Sequence, residues 1–129
     1  MTMDLYRFDR NLHVAEQGQC DCDAALATFE RCYENGFRSY GSGEDAMVAT
    51  SFGLSRSGAD FIEISCHGQE SVTVHSDRLC YPSWLSRTFS LRNHFFIKGG
   101  KAKGMEIIRD YFSRERQGFE AKYADFLCR

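Results

Sequence analysis

The feature that most constrains this chain is an alternation of apolar and polar residues that recurs three times between Val48 and His75. Successive side chains of a strand point to opposite faces, so alternation marks a sheet with one buried face and one wet face. In the first run Val48, Thr50, Phe52 and Leu54 share a face. In the second, Ile62, Ile64 and Cys66 face one way while Phe61, Glu63 and Ser65 face the other. In the third, Val72 and Val74 point inward, and Ser71, Thr73 and His75 outward. Arg56-Ser57-Gly58 and Gly68-Gln69 supply the turns between them. The pattern predicts an antiparallel meander, in which paired residues must share a face. Pairing Ile64 with Val72 sets Ile62 opposite Val74 and leaves residues 66–70 at the turn. A strict two-residue loop would set Ile64 against Thr73 and mix the faces, so a three- or five-residue turn is expected.

Helical periodicity flanks the meander. From about Asp23 to Glu34, the spacing of Ala25, Phe29 and Cys32 makes one apolar face. Asp21 or Asp23 can accept a bond from an unpaired N–H at the helix start, and Asn35-Gly36 is a good stop. Residues 37–45 read as a loop. Beyond the meander, Pro82 fits the first turn of a short helix carrying Trp84, Leu85 and Thr88. Phe95 and Ile97 suggest a fourth strand, ended by Gly99-Gly100. A long helix is expected from about Lys101 to Arg116, with Met105, Ile108 and Phe112 on one face. Gly118 would interrupt it, and Phe119, Tyr123 and Phe126 or Leu127 continue the apolar stripe. Residues 1–19 fit either a helical stripe (Leu5, Phe8, Leu12) or a short strand (Leu12, Val14), and both stay open. Residues 77–94 are mixed. The expected architecture is α+β: an antiparallel β-meander of about four strands, helices packed on one face, and a long C-terminal helix, all in a single domain over 1–129.

Charge and composition narrow the function classes. The net charge of −2 argues against general nucleic-acid binding, which needs a surplus of Lys and Arg to neutralise phosphates. Residues 1–36 hold seven acids against three bases, and residues 101–129 hold seven bases against five acids. An acidic N-terminal third can face a basic partner. The first residues lack an apolar core of signal-peptide length, and no segment approaches the roughly 18 apolar residues of a membrane span. A cytoplasmic location is therefore expected, with no membrane association. That compartment keeps thiols reduced, so the six cysteines are read as free.

Several fragments resemble chemistry without completing it. Cys20-x-Cys22 lacks the second ligand pair that a zinc site needs, with Cys32 and His13 reaching it only through the fold. Cys66-His67 would be a nucleophile and base, but strand neighbours point to opposite faces, and the same holds for Cys66 with His75. Cys66 is better read as a small buried hydrophobe. The stretch Gly99 to Gly104, with Lys101 and Lys103, precedes a helix whose free N–H groups could hold an anion, yet it lacks the P-loop pattern. No catalytic residue, metal or cofactor is expected. What remains is a mixed patch on the outer face of the meander: Phe61, Glu63, Thr73 and His75. Candidate anchors for a partner are Phe61, Tyr40 and Trp84. The candidate acids are Asp21, Asp23, Glu30 and Glu34. Arg56, Arg78 and Arg87 lie near turns and could pair with a partner's acids.

The run Asp60-Phe61-Ile62-Glu63-Ile64, then Val72-Thr73-Val74, then a glycine turn into residues 105–112 (MEIIRDYF) and on to Phe119-Glu120 and Tyr123, resembles small bacterial immunity proteins. These are the antidotes to polymorphic or contact-dependent secreted toxins. The likeness covers the layout of residues 46–125. It implies a single cytosolic domain, monomer or homodimer, that binds a cognate toxin or effector and performs no catalysis. It carries over no site residues. The alternatives are a secretion chaperone or adaptor, which should dimerise through an exposed apolar helix face, and a small-ligand-binding domain.

Overall fold

The computed structural model describes residues 1–9, 11, 13–38 and 48–128. The chain begins with a hairpin, β1 (Met3–Phe8) and β2 (Val14–Cys20), followed by helix α1 (Cys22–Asn35). Then come β3 (Ser51–Ser57), β4 (Asp60–Cys66), β5 (Val72–Asp77), the short helix α2 (Trp84–Phe89) and β6 (His94–Gly99). Helices α3 (Lys101–Ser113) and α4 (Arg116–Lys122), a 3₁₀ turn (Ala124–Phe126) and the two-residue β7 (Leu127–Cys128) complete it. Among the described residues the strands form one sheet in the order β2-β1-β3-β4-β5-β6-β7. All six neighbouring pairs are antiparallel.

The α+β class and the helix-covered meander are as the sequence led us to expect, but the sheet has seven strands rather than about four. Residues 1–19, left open above, are the extra hairpin. The hairpin docks on the meander through Leu5↔Leu54 and Tyr6↔Gly53. The first meander strand starts at Ser51, and residues 48–50 are helical. Alternation extends it back to Val48, because three helical residues are too few to show a helical period. The predicted loop over 37–45 lies mostly outside the described residues.

The register between β4 and β5 also needs correction. Ile64 pairs with Val74 and Cys66 with Val72, two residues away from the expected pairing. The faces are unchanged, because a shift of two preserves the alternation. The reason is a tight loop. His67 N–H donates to Ser71 O at 2.9 Å, and Gly68, Gln69 and Glu70 between them all have positive φ, at 74°, 48° and 60°. Gly68 is the residue whose place in this loop demands glycine. A β-carbon there would lie 2.4 Å from the carbonyl oxygen of Gly36, at the end of α1. The other two carry side chains and give no such signal in the sequence.

The expected long C-terminal helix is two helices. α3 stops at Ser113, Arg114 is extended (φ −110°, ψ 148°), and α4 restarts after Glu115. Gly118 lies inside α4 rather than at the break. The interruption is tertiary. The Arg56 guanidinium, on β3, donates to the carbonyls of Tyr111 and Arg114 and satisfies acceptors that a helix end leaves free. Arg116 then turns inward to Asp60 (3.1 Å) and Glu120 (2.8 Å).

The core lies between the sheet and α1, α3 and α4. Ala25, Phe29 and Cys32 of α1, Ile107, Ile108 and Tyr111 of α3, and Phe119 with Tyr123 near α4 meet Phe52, Leu54, Ile62, Ile64, Val74, Phe95 and Ile97 from the strands. Each fully buried aliphatic or Phe side chain contributes roughly 1.5–3 kcal/mol. All three of these helices pack on one face; on the other, Tyr6 and Ser51 are buried while Phe61, Glu63, Thr73 and His75 are half-buried.

Candidate partner-binding surface

The register sets the residues of the face opposite these helices in rows. Gly53, Glu63, His75 and Phe96 lie side by side on β3, β4, β5 and β6. Ser51, Ser65, Thr73 and Lys98 form the neighbouring row. Phe61, Glu63, Thr73 and His75 therefore share one surface, as alternation led us to expect. All four are half-buried. The Phe61 and His75 rings are 5.9 Å apart, and so are those of His75 and His94. Tyr6 donates to Glu63 Oε1 at 3.1 Å, and burial first, then the Glu63 charge, pushes its hydroxyl pKa up. Phe96 is half exposed beside His75.

The four candidate acids lie on the other side of the domain. Asp21 caps α1, its Oδ1 accepting from Ala24 N–H at 2.8 Å. Asp23 and Glu34 are exposed. Glu30 pairs with Lys101 at 3.7 Å. Because α1 covers the buried face of the sheet, these acids and the Phe61–His75 patch cannot belong to one flat interface. Single-sequence reasoning could not separate them, since the side on which a helix docks is a tertiary outcome.

Trp84 does stand out as an anchor, whereas Tyr40 lies outside the described residues. α2 buries none of its residues. In the connection from Leu79 to Leu91, Trp84 is 74% exposed, Phe89 75% and Leu91 65%. Pro82 precedes the N-cap Ser83, whose hydroxyl accepts from Ser86 N–H. The helix is thus capped locally and then left without a core to pack on. Leu85, Phe89 and Leu91 are exposed beside Trp84, and spacing does not mark them, because nothing within a six-residue helix shows that no core packs against it.

The base of this connection is firmly held. Glu120, 5% exposed, accepts from the N–H groups of Leu79 (2.9 Å) and Cys80 (3.1 Å) and from Arg116 Nε (2.8 Å). Arg78 donates to Cys80 O and Arg92 O, and its guanidinium lies 4.4 Å from the Tyr81 ring centroid. Of the three arginines considered for a partner, Arg56 is occupied at the end of α3 and Arg78 staples the connection. Arg87 is exposed and forms no ion pair among the described residues.

The reactive fragments are separated by the fold. Cys66 faces the core and its thiol is pushed up to about 12 by burial and the neighbouring Cys32, the opposite of an activated nucleophile. His67 bonds Thr73 Oγ1 at 2.8 Å, on the side of the sheet away from Cys66. Cys20 ends β2 and Cys22 starts α1, both free thiols. Among the described residues no three His, Cys, Asp or Glu side chains are placed to hold a metal ion. At the start of α3, Lys101 turns to Glu30 and Lys103 to Glu106 at 3.2 Å, so neither lysine is left for an anion. No described helix is long and apolar enough to cross a membrane.

Compared with known proteins, the chain matches no family model, and neither the curated proteins nor the solved structures give a significant match.

Proposed function

We propose that this chain is a protein-binding module that acts by covering a partner's surface. The observation that carries the reading is the cluster of exposed apolar side chains on the Leu79–Leu91 connection, with Trp84 and Phe89 each about three-quarters exposed. Large apolar groups left in water are costly, and aromatic anchors of this kind dominate tight interfaces. The narrower form of the reading is an immunity protein that neutralises a cognate bacterial toxin. It is supported by the layout resemblance over residues 46–125 and by the half-buried patch of Phe61, Glu63, Thr73 and His75 beside the connection. Blockade of the toxin would be steric, with charged groups at the rim speeding encounter.

The test is co-expression with the product of the adjacent gene. The expected result is a co-purifying complex, rescue of growth from that product's toxicity, and loss of both in the Trp84→Ala/Phe89→Ala variant with folding intact. A harmless neighbour, no association, or a complex indifferent to the double substitution defeats the reading. A secretion chaperone or adaptor is the second reading, favoured by the solvent-exposed face of α2. It requires a stable homodimer in the absence of partner, which sedimentation of the free chain detects.

A further inference from the structure

At the foot of the exposed connection, the end of β5, the start of β6 and the last turn of α2 line an open cleft of about 490 Å³. His75, Asp77, Arg78, Tyr81, Arg87 and His94 line it. The cations come from both sides: Arg78 from the end of β5, Arg87 from α2. Neither forms an ion pair with a carboxylate among the described residues, although Asp77 lines the same cleft. That aspartate lies 3.9 Å from His75 Nε2. Arg78 is held in place by backbone carbonyls and by the Tyr81 ring, so its charge is fixed in position but not neutralised. Its Nε and Nη1 are taken by these carbonyls and by Ser90 Oγ, which among the described residues leaves Nη2 to meet an oxyanion, while the exposed Arg87 has its fork for phosphate or carboxylate oxygens. His94 Nδ1 is 3.1 Å from Asn93 Oδ1, which sets its ring orientation.

We propose that this cleft binds a small phosphate monoester, with the phosphoryl group between Arg78 and Arg87 and the imidazoles of His75 and His94 at its edge. Two arginines opposed by one carboxylate leave the cleft with a net positive charge, and a phosphoryl group offers three oxygens to donors from two elements where a carboxylate offers two. The volume exceeds what a bare phosphate fills, and Leu79 and Tyr81 supply an apolar wall for the organic part. This site is independent of the protein-binding reading, and either can hold without the other.

The experiment is a titration of the full chain, followed by the imidazole NMR signals of His75 and His94. The probes are inorganic phosphate, phenyl phosphate and benzoate at constant ionic strength. Saturable shifts with phosphate, tighter binding of phenyl phosphate, and a weakening of at least about tenfold in Arg87→Ala, as loss of one charge-assisted hydrogen bond predicts, support the site. Arg87 is exposed, so an unchanged melting temperature confirms that the variant still folds. Lys98→Ala, on the same sheet face outside the cleft, should bind as the wild type does. Unsaturable shifts, equal binding in Arg87→Ala, or equal weakening in Lys98→Ala overturn it. Benzoate binding as tightly as phenyl phosphate overturns the phosphate assignment in favour of a carboxylate.

Discussion

The ring of Tyr6 fills the space that a side chain at Gly53 would need. A β-carbon on Gly53 would lie 1.9 Å from Tyr6 Cζ, and the two residues are register partners on β1 and β3. This contact fastens the N-terminal hairpin to the meander on the face that the helices do not cover. Gly53→Ala must displace the ring and break its bond to Glu63. The expected loss is about 1–3 kcal/mol, the usual cost of overpacking. Chemical denaturation measures it. In a Tyr6→Ala background the same substitution should cost far less, and an undiminished cost would show that the ring is not the obstacle.

A similar close approach joins α1 to α3. A β-carbon on Gly104 would meet Phe29 Cζ at 2.5 Å, and Phe29 is fully buried. Two effects compete in Gly104→Ala. Helix propensity favours alanine by about 1 kcal/mol, and overpacking opposes it by about 1–3 kcal/mol. Because Phe29 is fully enclosed in the core cluster, the substitution should lower the melting temperature. A rise in melting temperature would mean that the core gives way easily.

Glu120 joins α4 to the exposed connection, through Arg116 and the N–H groups of Leu79 and Cys80. Glu120→Ala removes the acceptor of two amides and of Arg116 Nε, while Arg116 keeps Asp60. Leaving such donors unsatisfied typically costs about 1–3 kcal/mol. Glu120→Gln should be milder. Hydrogen exchange locates the effect: Leu79 and Cys80 should lose protection first, while β3 and β4 keep theirs. Uniform loss across the sheet would show that Glu120 supports the whole fold rather than this connection.

Asp110 lies where α3 passes the C-terminal segment. Burial works against its charged form, but hydrogen bonds from Lys122, Tyr123 and Arg114 prevail and hold its pKa below the ordinary aspartate value. A carboxylate depressed in the folded state stabilises above its unfolded pKa, and that contribution is lost as pH falls through the folded value. The stability gap between wild type and Asp110→Asn should therefore be widest near neutrality and narrow below about pH 4. Melting temperatures from pH 7 to pH 2 test this, and a gap that does not change with pH refutes it.

The legible parts of this protein are those set by local periodicity. A short helix was announced by Pro82, which stands before the N-cap Ser83 rather than in the first turn. The faces of β4 and β5 and the apolar side of α1 followed from spacing. So did the shared surface of Phe61, Glu63, Thr73 and His75. The boundary near Val48, the register after Cys66 and the break after Ser113 did not. Each of these depends on a partner distant in sequence or on a backbone geometry that no residue type announces. The break in the C-terminal helix lies where Arg56 from β3 meets the last carbonyls of α3. The loop after Cys66 needed two non-glycine residues in the left-handed region.

By itself the sequence determined which residues would be inside and which outside within each element, because side-chain direction repeats every 2 residues in a strand and about every 3.6 in a helix. Only the tertiary structure decided which elements neighbour one another. It placed the acids of α1 behind the sheet from Phe61 and His75. It also left Trp84 and Phe89 in water and gathered Arg78, Arg87, His75 and His94 around one cleft. Neighbours across the fold are selected by the packing of the whole core, and that information is spread over the chain rather than written in any one segment.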